Sequence, residues 1–434
     1  MRLNLILRAL CYRNYRLFFV GQSVSLIGTW ITQIATGWLV YRLTDSALLL
    51  GVVGFTGQIP IFLLTPFAGV LVDRWNHRRI LVITQTLSMV QSLTLAVLTL
   101  GGVITVWHIV LLSLFQGLID AFDMPVRQSF IVEMVENRGD LGNAIALNSS
   151  MVNGARLLGP SIAGVLIATV GEGVCFLLDG ISYLAVIAAL LSMRITVKEA
   201  KTENTHVLRG LREGFSYAFG FAPIRSILLL VGLASLAGRP YLVLMPAFAS
   251  AVLHGGPHTF GFLTGASGVG ALWGAIYLAS RRSVRGLERV IAIATGIFGV
   301  GLITFSLSRV FWLSFLLMLL TGFGMMLQMA SSNTVLQTIV DDDKRGRVMS
   351  LYSMAFRGME PFGNLLAGGL ASRIGVSDTL LIGGILCIVG SILFARRLSV
   401  LREMVRPIYV RKGIIPEVTS GIRTATGLNA RPEG

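Results

Sequence analysis

Six ionisable residues stand inside long apolar runs of this chain: Asp120, Arg156, Asp179, Arg239, Arg357 and Glu360. A charge at the centre of a bilayer costs about 2.5–3.5 kcal/mol on insertion scales, so each of them must be paired, wetted or used. Two kinds of chemistry suit such groups. A carboxylate whose surroundings alternate between wet and dry, or between near and far from an Arg, can take up and release a proton. An Arg without a carboxylate partner can hold an anionic or polar guest. Arg156 and Glu360 are related further, because residues 142–171 align without a gap on residues 346–375, with nine identities, mostly small residues. In that alignment Arg156 falls on Glu360, and Arg357 precedes Glu360 by three residues. Opposite charges therefore sit at matching depth in two copies of one helix, where they can be coupled for proton transfer, with Asp120 as the second proton-carrying candidate. Arg357 and Glu360 are also one helical turn apart, so a fixed intrahelical pair is the competing structural reading.

These residues need a frame, and composition supplies it. With 54% hydrophobic and 13% charged residues, a chain of 434 residues has too little polar surface for a water-soluble globule. Hydropathy predicts twelve spans, at about residues 15–41, 47–72, 79–101, 105–126, 142–170, 173–193, 224–252, 259–280, 288–308, 311–334, 347–371 and 377–396. The fold class is thus an all-α membrane protein of two pseudo-symmetric six-helix halves. The divisions expected are an N-terminal half over 1–194, a linker over 195–222, a C-terminal half over 223–396 and a tail over 397–434. Lys and Arg concentrate on one side of this map, around Arg74, Arg78, Arg79, Arg127, Arg138, residues 194–225, Arg281, Arg285, Lys344 and Arg345. That bias predicts both termini and the linker in the cytoplasm of a bacterial-type inner membrane. The linker turns amphipathic near its end and is expected to lie along the membrane face. The tail beyond Arg397 is expected to be partly disordered.

Several classes fall away. The net charge of +15 is spread over short segments between apolar runs, not gathered on one basic face, which excludes nucleic acid as a partner. Cys11, Cys175 and Cys387 have neither CxxC nor metal spacing, so no disulfide and no metal site is expected. The chain lacks a G-x-x-x-x-G-K-[ST] phosphate loop, H-E-x-x-H and G-x-S-x-G, so neither an enzyme nor a resident cofactor is expected.

Between the second and third spans runs Gly69-Val-Leu-Val-Asp73-Arg74-Trp75-Asn76-His77-Arg78-Arg79. A carboxylate facing clustered Arg at a helix end can latch two helices in one state and release them in another. The loop resembles the G-x-x-x-D-R-x-G-R-R signature of the major facilitator superfamily, departing from it at Asn76 and His77. The second-half counterpart, Ser280 to Gly286, keeps basic residues without the Asp. A second resemblance lies in Ala155-x-x-x-Gly159-Pro160-x-x-Ala163-Gly164, which is similar to the fifth-helix motif of that superfamily's antiporters, with two glycines replaced by alanine. Physically, Pro160 removes a backbone donor and the small residues permit close packing, so the segment can bend and seal; tight packing alone remains the plainer reading. The words Leu43-Thr44-Asp45-Ser46, Phe122-Asp123-Met124-Pro125 and Asp343 to Met349 resemble the branch of enterobactin-type siderophore exporters and macrolide efflux proteins.

The resemblance implies that spans 1, 2, 4, 5, 7, 8, 10 and 11 line a central cavity. Arg156, Arg239, Arg357, Gln33, Trp30, Gln58 and Asn153 are then the cargo-facing candidates, while Asp179 falls on an outer helix and is read as structural. Asp123 and Arg127, near a membrane end, are read as interfacial. The implied function is secondary active export of a small amphipathic compound such as a drug or siderophore, driven by protons and carried out by a monomer in the lipid bilayer. The alternatives are a facilitator or importer of a small metabolite, and a membrane sensor or scaffold that binds without moving its ligand.

Overall fold

The computed structural model describes residues 7–72, 75–194, 215–281, 283–341 and 344–412. The described chain is helical almost throughout. Six helices form the first half: α1 (Arg13–Thr44), α2 (Ala47–Val72), α3 (His77–Leu100), α4 (Val106–Met134), α5 (Leu141–Val170) and α6 (Glu172–Ser192). Six form the second: α7 (Ala222–Val252), α8 (Pro257–Ser280), α9 (Leu287–Leu307), α10 (Phe311–Ile339), α11 (345–374) and α12 (Val376–Arg396). Eleven are long and apolar enough to cross a membrane. The twelfth, α11, is of spanning length but broken by a π-helical turn at Met354–Gly358. α7 is interrupted as well, by π turns at Ala234–Gly238 and Phe248–Val252. Pro240 and Pro246, which lack an N–H and cannot close the regular ladder, lie between those two turns.

The duplicated helices make equivalent contacts. A Cβ added at Gly261 of α8 would stand 2.4 Å from the Pro160 carbonyl oxygen and 2.7 Å from the Gly164 Cα on α5. A Cβ at Gly51 of α2 would stand 2.5 Å from the Asn364 carbonyl oxygen and 3.0 Å from the Gly368 Cα on α11. Pro160 and Gly164 align with Asn364 and Gly368 in the sequence repeat. The two seams between the halves, α5 on α8 and α11 on α2, are therefore the same joint used twice, and only glycine lets the backbones approach so closely.

The apolar cores show how the halves meet. At the end remote from the chain termini one core is shared, joining Leu39, Leu50 and Ile167 of the first half to Phe248, Phe260 and Phe305 of the second. At the end carrying the termini each half has its own core. One gathers Tyr15, Leu81, Phe130 and Ala144, and the other gathers Ile224, Ile291, Leu336 and Val348. The molecule is thus sealed at the remote end and parted at the end where Ala9 and Tyr409 lie.

Residues 398–411 form a helix, α13 (Leu398–Arg411), whose Leu401, Val405 and Tyr409 repeat every four residues and are buried against the second half. An apolar stripe at that spacing has a face to bury, which the basic composition of the segment conceals. The Tyr409 hydroxyl donates to Glu288 at 2.7 Å, and Arg411 pairs with Asp341 at 2.8 Å. Residues 413–434 and 195–214 lie outside the described residues. The described end of the linker is helical over 215–220 and packs Tyr217, Ala218 and Phe219 into the core of the second half.

Candidate functional site in the gap between the halves

The intramembrane charges converge where the shared core ends and the gap begins. Glu360, 8% exposed, opens the helical segment that follows the π turn of α11. Its partner is neither of the two candidates that sequence offers. Arg239, on α7 immediately after the π turn Ala234–Gly238, reaches Glu360 Oε2 with Nη1 at 3.0 Å. The same nitrogen donates to the Phe356 carbonyl at 3.3 Å, and the guanidinium carbon stands 4.3 Å from the Phe356 ring centroid. Ser235 donates to that same carbonyl at 2.6 Å. A π turn leaves backbone carbonyls poorly satisfied within the helix, and here Phe356 O is available to two donors from α7. The ion pair and its supports thus lie inside the second half.

Arg357 is exposed although it sits mid-helix, and its Nη1 lies 2.9 Å from the Met124 sulfur on α4. A side chain that touches the opposite half while remaining open faces the gap and not the lipid. Arg156, on α5, forms no ion pair or hydrogen bond among the described residues, and its charged neighbours are Arg239 and Glu360, with Tyr241 beside them. The Tyr241 hydroxyl is itself 2.7 Å from Ser267 Oγ. Pro160 deprives the Arg156 carbonyl of its usual partner four residues on, and that oxygen lies opposite Gly268, where an added Cβ would come within 3.2 Å. Asp120 accepts from Gln116 at 3.0 Å and counts Arg357, Asp123 and Arg127 among its charged neighbours.

The other cargo-facing candidates scatter. Trp30 packs its Cβ where a Cβ on Gly159 would approach to 2.4 Å, which makes it a closing contact between α1 and α5. Asn153 donates to the Ser149 carbonyl at 2.9 Å, along its own helix. Gln33 is exposed and Gln58 half-buried, and neither forms a hydrogen bond among the described residues. Ala155 is buried with Gly159, Pro160 and Gly164, so the whole fifth-helix motif serves the packing of α5 between α1 and α8.

Asp123 and Arg127 are paired, the carboxylate buried between helices. Asp123 is 1% exposed and accepts from Thr84 and Gln85, each at 2.8 Å, and from Arg127 one turn along α4. Three donors around one carboxylate make a buried lock between α3 and α4, which sequence reasoning missed because Thr84 and Gln85 lie on another helix. Asp179 is likewise buried, accepts from Ser92 at 2.9 Å and crowds Gly28 of α1.

Of the loop motif, Asp73 and Arg74 lie outside the described residues, as does the side-chain environment of Gly69. Its described part accounts for both departures from the superfamily signature. The Asn76 side chain accepts from the Arg79 N–H at 3.1 Å and caps α3. His77 meets Glu133 of α4 at 2.5 Å. Arg78 donates to the Leu191 carbonyl at the end of α6 at 2.7 Å.

Known proteins of this build are transporters. The staphyloferrin A transporter of Staphylococcus aureus is 28% identical over 384 residues, covering 88% of this chain and 96% of that protein. The multidrug efflux pump Tap of Mycolicibacterium fortuitum is 28% identical over 367 residues, covering 82% and 88%. The crystal structure of a bacterial homologue of the iron transporter ferroportin, in an inward-facing state, superposes with a TM-score of 0.69 at 16% identity, covering 88% of this chain and 98% of that one. That likeness supports the fold alone. Residues 7–407 match the family described as transmembrane secretion effector, and the chain accordingly belongs to that family of major facilitator superfamily transporters.

Proposed function

We propose that this transporter exports a small amphipathic compound, of the drug or siderophore kind named for its relatives, in exchange for protons entering the cell. The working unit is one chain in a bacterial-type inner membrane with both termini cytoplasmic, divided into halves over 1–194 and 223–396, a linker over 195–222 and a tail over 397–434. The observation that carries this reading is the Glu360 and Arg239 pair, buried at the floor of a gap that the other half enters with Arg156. Rocking of the two halves about the paired glycine seams would alternate access to that floor, as repeat architectures of this kind do. Glu360 would exchange its ion pair for a proton in one state and return the proton in the other, with Asp120 as the second candidate. Asp73, with Arg74, Arg78 and Arg79, would latch the cytoplasmic end. One proton crossing 100 mV supplies about 2.3 kcal/mol, equivalent to a cargo ratio of about 50.

The decisive experiment is flux in inverted vesicles. Glu360→Gln should abolish uphill, proton-driven accumulation while cargo binding and downhill exchange persist. Uphill transport retained by Glu360→Gln at matched protein level would remove Glu360 from the proton path, and joint loss of folding and every activity would make it structural. Orientation is tested separately with Cys11, which is exposed. An impermeant thiol reagent should reach it in inverted vesicles and not from outside intact cells.

A further inference from the structure

The charges that face the gap do not balance. Three guanidiniums converge there, from Arg156 on α5, Arg239 on α7 and Arg357 on α11. Among the described residues two carboxylates answer them, Glu360 and Asp120. Asp123 is already engaged by Arg127, Thr84 and Gln85. Glu360 is held by Arg239. Arg357 meets a sulfur where an oxygen would be its proper partner, and Arg156, near Glu360 and Tyr241, forms no ion pair or hydrogen bond among the described residues. Arg239 Nε is buried without an acceptor as well. Guanidinium groups left without a carboxylate partner leave donors that an anionic oxygen would satisfy.

We infer that the cargo is an anion, carrying a carboxylate or a chemically equivalent oxyanion, which is received between Arg156 of the first half and Arg357 of the second. The gap supplies the rest of the recognition. Phe55, Phe62 and Phe362 form an edge-to-face aromatic cluster across the α2 and α11 seam, with centroids at 6.1 and 5.6 Å, and Met124 lies beside Arg357. An amphipathic anion would place its charge on the two arginines and its apolar body toward these rings. Because the arginines belong to different halves, one anionic group bound to both would join them only while the gap is narrow, so the cargo itself would favour closure of this end. This inference rests on the export reading for its physiological meaning, but binding can be measured without transport.

The test uses two dyes that share a xanthene body and differ in charge, the anion carboxyfluorescein and the cation tetramethylrhodamine methyl ester. Binding to the purified full chain in lipid nanodiscs is followed by fluorescence anisotropy. Carboxyfluorescein should bind at least about tenfold more tightly than the cation, the worth of one charge-assisted hydrogen bond. Arg156→Gln and Arg357→Gln should each cost about tenfold for the anion and leave the cation within about twofold. Arg156→Lys should keep most of the preference, which separates charge from a failure to fold, as does an unchanged thermal unfolding midpoint. Equal or tighter binding of the cation, no binding of the anion, or equal loss for both dyes in folded variants would each overturn the inference. An anion preference that persists without any flux in inverted vesicles would instead refute export and leave the cargo class standing.

Discussion

The seam at Gly261 offers a clean perturbation of the transport cycle. Gly261→Ala adds a Cβ that would stand 2.4 Å from the Pro160 carbonyl oxygen, where ordinary contact begins at 3.4 Å. The backbones of α5 and α8 must therefore separate by 3.4 minus 2.4, or 1.0 Å. Neither atom belongs to a flexible side chain, so the strain falls on the joint between the halves. Overpacking of this kind costs about 1–3 kcal/mol. If it applies only to the state sealed at the remote end, that state loses population by about 5- to 150-fold relative to the one open there. A reporter for sealing is available at Leu39, fully buried in the shared core. With Cys11, Cys175 and Cys387 replaced by Ser, a cysteine at position 39 should react slowly with an impermeant maleimide from the remote side, and faster by a factor in that range once Gly261→Ala is added. Gly51→Ala, whose Cβ would stand 2.5 Å from the Asn364 carbonyl oxygen, should act alike because the seams are equivalent. Gly154→Ala, with nothing within 4 Å of the added atom, should leave the rate unchanged. Labelling at the parent rate in both seam variants would refute the view that these contacts seal the remote end.

Three further outcomes are expected. Asp123→Ala strands Arg127 and two neutral donors, and should cost about 3–5 kcal/mol of stability, read as a lowered unfolding midpoint in detergent; an unchanged midpoint would mean that α3 and α4 do not depend on this lock. Asn76→Ala removes the cap of α3 and should cost about 1 kcal/mol, measured in the same way. Tyr409→Phe leaves the buried Glu288 carboxylate without its donor, and should free α13 to proteolysis at Arg402 or Arg406 while the spans stay intact. Burial first, and then Glu288, raise the Tyr409 phenol above its ordinary value. A raised group contributes its stability below its unfolded pKa of about 10 and loses it above the folded one, so α13 should stay docked through neutral and mildly alkaline pH.

The frame was legible because bilayer crossing has a blunt signature, runs of about 20 apolar residues with basic loops between them. The repeat was legible for the same reason that it matters: the glycines at 164 and 368 recur because each receives a helix of the opposite half. Partner choice was not. Sequence spacing offered Arg357 as the partner of Glu360, one turn away, and duplication offered Arg156. The partner is Arg239, placed by a π turn that no hydropathy pattern announces. The partners of Asp123 were hidden for a related reason, since its donors Thr84 and Gln85 lie 39 and 38 residues away on another helix. The α13 stripe was hidden by charge, because three arginines in fourteen residues lower the average without disturbing the period.

The π turn at Met354–Gly358 carries one more consequence. α5 and α11 align residue for residue, yet α5 runs through as α-helix while α11 takes one wide turn. A wide turn accommodates the equivalent of one extra residue, about 100° of rotation. On either side of the turn the copies match, with Ala144 and Val348 both buried and Gly164 and Gly368 making equivalent contacts, and they differ at the turn itself. Asn153 bonds back along its own helix, whereas its counterpart Arg357 is swung into the open. A gapless duplication has in this way become two unlike helices, which differ by one wide turn and not by length.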